Sequence, residues 1–197
     1  MKHLNQLLPE LEQQLIEVQL PILNKLQEGL TSKVASKLLK QVGISNDGLV
    51  TLYGWKNGIK DMSEGINIEY LEVFPEAIML SLEDALNHYR ISVNQKLFSE
   101  GLFPTFTNGG GDYYLLDCNK NSKTNEMILL FAPSLLLEED PQSIYDSIES
   151  LVYTVICCYK QGGYKINNSG TLDVDYDIKY QLSAKLNPRS SYWHDYR

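Results

Sequence analysis

The residues able to do chemistry are few and scattered. His3, His88 and His194 lie in separate segments with no carboxylate or cysteine at ligand spacing, which argues against a metal centre. Cys118, Cys157 and Cys158 are an odd set that matches no zinc spacing, and the adjacent pair is badly placed for a mutual bond. Cys157 and Cys158 fall late in an apolar helical stretch, far from the helix N-terminus that would activate a thiolate. Free, buried or half-buried thiols in a reducing compartment are the expectation. There is no Gly-x-Ser-x-Gly elbow. The run Asn108-Gly109-Gly110-Gly111 invites comparison with a phosphate loop. It leads into a strand, however, and the next residue is Asp112, whose charge opposes phosphate. A tight β connection with Asp112 bonding local amides is the structural reading. Asp173-Val-Asp-Tyr-Asp opens like a calcium loop but has Ile178 where the glycine belongs and Ala184 where the closing glutamate belongs. No converging polar set points to an enzyme, and no cofactor or metal is expected.

These residues sit on elements that the apolar spacing predicts. A helix is expected over residues 9–28, with Pro9 in its first turn, a kink at Pro21 and a stop at Gly29. A second spans about 32–42, with Val34, Leu38 and Leu39 inward. A third follows Ser45 or Asn46 and buries Leu49, Leu52 and Tyr53, closing at Asn57-Gly58. Residues 59–72 read as loop and Phe74–Leu80 as room for a short strand. Ser81 caps a further helix, with Asp84 reaching back. Residues 103–107, 112–117 and 126–132 read as strands joined too tightly for helical crossovers, hence an antiparallel meander. The strongest predicted helix is 141–160, capped by Asp140 with Pro141 at its first position. Its face of Ile144, Ile148, Leu151, Val152, Val155, Ile156 and Tyr159 must cover the sheet. The last segment carries one helix marked by Val174, Ile178, Leu182 and Leu186, then Tyr192, Trp193 and Tyr196, which could dock back.

Composition limits the function classes. Of 197 residues, 17 are basic and 25 acidic, a net charge of -8. Hydrophobic residues at 43% and charged residues at 21% suit a folded domain and exclude a disordered one. Lys33, Lys37 and Lys40 make the densest basic stripe, too weak for a phosphate-neutralising nucleic-acid binder. The acidic balance suits a basic protein partner or no charged partner at all. Glu138, Glu139 and Asp140, together with Asp173, Asp175 and Asp177, are the candidate acidic surface. No secretory signal or membrane span is read, and a cytoplasmic location is expected.

In order, these pieces resemble the SUKH superfamily of Smi/Knr-like proteins. Leu49-Val-Thr-Leu-Tyr-Gly-Trp-Lys-Asn-Gly58 resembles its helix signature, which contributes Tyr53, Trp55, Asn57 and Gly58. Ser81-Leu-Glu-Asp-Ala85 follows, then Phe103-Pro104, then Gly110-Gly111-Asp112-Tyr113-Tyr114 and Leu116-Asp117. A long amphipathic helix ends before Gly162-Gly163-Tyr164. The likeness covers roughly 30–165, leaving 1–29 and 166–197 as helical extensions, the second packed on the same domain. It implies an α+β fold, a mainly antiparallel sheet packed against helices. It also implies a protein-binding role with no catalytic residues. Bacterial members are commonly immunity proteins that block a toxin, and a cognate toxin is the implied partner, for instance a nuclease with a basic surface. A regulatory scaffold for an endogenous client is the alternative. A second alternative is a small-molecule binder or enzyme using a pocket near the Gly110-Gly111 turn. The signature positions are read first as structural and second as a partner groove.

Overall fold

A computed structural model describes residues 2–59, 67–133 and 140–194. Its centre is an antiparallel sheet of five strands in chain order: β3 (Ile78–Met79), β4 (Leu102–Thr107), β5 (Tyr113–Asp117), β6 (Ile128–Phe131) and β7 (Gln142–Tyr145). The short connections dictate this order, because neighbours joined by tight turns can only run antiparallel. Every residue of β4 is buried, so both faces of the sheet are covered there. Pro104 cannot donate to a ladder, and the register of β4 against β5 slips between Pro104 and Phe106. Phe74, Phe106 and Tyr114 stack edge to face over this region, with centroids 5.2 and 5.5 Å from Phe74.

Six α-helices accompany the sheet among the described residues: α1 (Leu4–Glu17), α2 (Ser32–Lys40), α3 (Asp47–Trp55), α4 (Leu82–Asn94), α5 (Ile148–Lys160) and α6 (Tyr176–Leu186). The fold is α+β. Two short hairpins complete it, β1 (Leu26–Glu28) with β2 (Lys56–Ile59), and β8 (Tyr164–Ile166) with β9 (Leu172–Val174). Caps set the starts where the sequence places them. Asn46 Oδ1 accepts from the Leu49 amide at 2.9 Å, and Ser81 Oγ from the Asp84 amide at 3.1 Å. Asp84 returns the contact by accepting from the Ser81 hydroxyl at 2.6 Å.

Four expectations are corrected. The first helix begins at Leu4 and keeps Pro9 in its interior, and it ends at Glu17, not near residue 28. An interior proline costs about 3 kcal/mol, but Leu4, Leu7 and Leu8 are buried upstream of it, each worth about 1.5–3 kcal/mol. Gln19 takes a left-handed φ of 54° and turns the chain, so Leu26–Glu28 pairs with β2 as a strand. The second helix buries Ala35 and Leu39 and leaves Val34 exposed. The long helix starts at Ile148 under Ser147, because Gln142–Tyr145 completes the sheet as β7. Asp140 therefore caps nothing. In the last segment Val174 and Asp173 belong to β9, and α6 starts under Asp175, whose carboxylate accepts from the Ile178 amide at 3.1 Å.

α5 lies at the heart of the helical side. Ile148, Leu151, Val152, Val155, Ile156 and Tyr159 are all buried as the period requires, and Cys158 is buried with them. α1 and α6 both pack on it. The chain after α6 returns to the sheet edge: Ser190 Oγ donates to the Ser143 carbonyl at 2.8 Å, and the Trp193 indole donates to the Ile144 carbonyl. No helix among the described residues is long and apolar enough to cross a membrane. All three cysteines are free thiols, Cys158 buried and the others half-buried.

Candidate functional site

The signature positions of α3 and β2 form a structural joint. Tyr53 is fully buried, its hydroxyl has no hydrogen-bond partner among the described residues, and burial pushes its ionisation far above the ordinary range. The Trp55 indole donates to Glu12 Oε2 at 2.9 Å, and Lys56 Nζ sits 2.9 Å from the other Glu12 oxygen. Burial works to raise the Glu12 carboxyl, but its bonds to Lys56 and Trp55 hold it below its ordinary value. Buried Asn57 accepts from the Leu82 amide at 3.0 Å and donates to Glu83 Oε2 at 3.1 Å, so it clamps the start of α4 onto β2. Gly58 has a φ of +60°, and a Cβ there would lie 2.3 Å from the Leu80 carbonyl carbon and oxygen. Only glycine fits that approach.

The Gly110–Gly111 turn is organised by Asn108 more than by Asp112. Asn108 Oδ1 accepts from the amides of Gly110 at 2.7 Å and Asp112 at 3.1 Å, while its Nδ2 donates to Asp112 Oδ2 at 2.7 Å. The buried Asp112 carboxylate accepts from the Asn108 side chain, and Asn108 holds the backbone amides of the turn. Gly111 has a φ of 106° with open space around it.

Beside this turn the structure brings together residues that sequence reasoning did not combine. A recess of about 70 Å³ has Tyr114, Leu130, Ile144 and Tyr145 of the sheet as its floor. Tyr192 and Trp193 wall it, Lys179 of α6 enters it, and Glu76, Asn108 and Asp112 stand on its margin. Lys179 is only 8% exposed. Its ammonium lies 5.6 Å from the centre of the Tyr176 ring. Burial draws its pKa down, while the charges of Glu76, Cys158 and Glu72 act to keep it protonated. Glu72 is pushed up to about 7, chiefly by burial, with the Glu76 and Glu69 carboxylates adding to the rise and the Glu76 backbone and Lys179 opposing it. Wider, more open grooves of 340 and 500 Å³ flank Tyr89 and Glu100, but the charged residues along them, Arg90, Glu100 and Lys120, are exposed.

The predicted acidic surface is divided. Glu138 and Glu139 lie outside the described residues. Asp140 is exposed beside Lys96 and Glu100 at the end of α4. Asp173, Asp175 and Asp177 are exposed together on β9 and the first turn of α6, and Asp173 accepts from Asn167 Nδ2 at 3.0 Å. A pocket near the Gly110–Gly111 turn is the second alternative drawn from the sequence; its lining was missed because Lys179 reads as surface lysine. The available signal was its place three and four residues before Leu182 and Ser183, which are both buried. Comparison with protein-family models and with curated proteins finds no match to the chain.

Proposed function

We propose that this chain acts by binding a macromolecule and not by turnover, as an immunity protein. It docks an acidic surface on the basic face of a toxin domain, such as a nuclease, and occludes the active site. The observation that carries the reading is the state of its carboxylates. Ion pairs among the described residues engage Glu10 and Glu12 alone, while Asp173, Asp175 and Asp177 stand exposed on one short stretch. An acidic surface left without internal counter-charges steers basic partners, with fast and salt-sensitive association. The ordered resemblance to the SUKH superfamily supports the same reading, as does a signature region whose polar groups are spent on holding β2 to α4.

The test is coexpression with the product of the adjacent gene in a growth-rescue assay, followed by association kinetics at low and high salt. Protection that weakens in Asp173→Lys/Asp175→Lys/Asp177→Lys, with association slowed by salt, is the expected outcome. Complex formation without protection would move the reading to a regulatory scaffold. Equal association rates at both salt concentrations would remove the steering argument.

A further inference from the structure

The recess beside α6 holds a charge that no ion pair among the described residues engages. Lys179 is more than nine-tenths buried and lines the recess. It has no hydrogen bond and no ion pair within 4 Å among the described residues, and its ammonium lies 5.6 Å from the centre of the Tyr176 ring. A buried ammonium without a counter-ion is unfavourable unless something supplies one. Glu76 acts on it electrostatically, yet its carboxylate stays beyond ion-pair distance on the exposed margin. Both residues line the recess, so the two charges border one gap.

We propose that this gap binds the zwitterionic head group of a small α-amino acid, its carboxylate on Lys179 and its ammonium toward Glu76. Net charge selects the class. A simple anion would meet Glu76 at the margin, and a simple cation would meet Lys179 inside. A zwitterion satisfies both ends and adds no net charge. The size agrees: one water needs at least ~10–15 Å³ of such a cavity, so about 70 Å³ has room for a head group whose side chain projects through the mouth. Tyr114 and Trp193, which line the recess, supply apolar contact for its carbon atoms. This site is independent of the acidic docking surface, so either proposal can fail alone.

The experiment follows the Trp193 indole N–H by NMR while L-alanine, acetate or methylammonium is added separately to the full chain. We expect a saturable shift with L-alanine in the millimolar range, and binding of acetate and methylammonium weaker by about tenfold or more. Lys179→Met should abolish the shift. Glu76→Gln, at an exposed turn, should weaken it by about tenfold with an unchanged melting temperature, and it carries the test if Lys179→Met does not fold. An L-alanine shift that persists unchanged in these variants, acetate or methylammonium binding as well as L-alanine, or no saturable shift with L-alanine would each overturn the proposal.

Discussion

Gly58 and Gly111 are both signature glycines with positive φ, but they carry different burdens. A methyl group at 58 collides with the backbone of Leu80 and Ser81 at 2.3–2.5 Å, whereas one at 111 meets nothing within 4 Å. Gly58→Ala should therefore cost at least about 3 kcal/mol, from strained φ plus backbone displacement. Gly111→Ala should cost only the φ penalty, about 1–2 kcal/mol. Urea unfolding of both variants checks the ranking, and equal losses would refute it. Asn57→Ala removes the acceptor for the Leu82 amide and the donor to Glu83, a loss of about 1–2 kcal/mol in the same measurement. Glu72 gives a pH signature. Its carboxyl has an ordinary value of 4.5 and is raised to about 7 in the fold. Below 4.5 it is protonated whether the chain is folded or not. Between 4.5 and 7 the folded protein keeps a proton that the unfolded chain has released. Its contribution to stability accordingly falls as pH rises through that window and is level above it. After allowance for solvent screening of a half-buried group, the fall is about 1–2 kcal/mol. Unfolding curves across pH should show that decline in the native chain and not in Glu72→Gln.

At the scale of elements, what was legible depended on whether local signals decided the structure. α3, α4 and the β4–β6 meander were readable because caps at Asn46 and Ser81, periodic leucines and tight polar turns all agree. Residues 141–147 misled because Asp-Pro followed by Ile144 and Ile148 imitates a helix start. A short apolar run is ambiguous between helix and strand until its partners are known. The partners here are β6 on one side and the distant segment 187–193 on the other. Asn187 also reaches back, accepting from the Asp146 amide at 3.1 Å and donating to Thr154 Oγ1 at 3.1 Å. The lining of the recess was only partly legible for the same reason: its wall is made by Tyr192 and Trp193, whose docking the sequence suggests without showing where on the sheet they land. That return covers a terminal strand, and bare strand edges invite pairing with other chains. Trp193→Ala should cost about 3 kcal/mol, lowering the melting temperature by roughly 6–12 °C for a chain of this size. Deleting residues 187–197 should in addition produce concentration-dependent association through β7, seen by light scattering. A truncated chain that stays monomeric and fully stable would show that the edge needs no such cover.

For the whole molecule, the net charge of -8 makes opposite demands on folding and on binding. The ion pairs among the described residues are three, Lys2–Glu10, Lys160–Glu10 and Lys56–Glu12, and the lysines of the first two are about half exposed. Exposed pairs of that kind contribute little, so the dominant long-range term in the free protein is repulsion among carboxylates. Salt screens that repulsion over about 8–10 Å at ordinary ionic strength. Raising salt should therefore stabilise the free chain, while the same screening slows its encounter with a basic partner. The two slopes have opposite sign only if the surface charge is held for a partner and not neutralised within the fold. Melting temperature and association rate measured over one salt series give both slopes. Asp173→Lys/Asp175→Lys/Asp177→Lys should flatten both together, because the exposed carboxylates that repel one another are the ones that attract the partner. If the triple variant flattened only the stability slope, the docking surface would lie elsewhere on the molecule, and Asp140 at the end of α4 would be the next position to reverse.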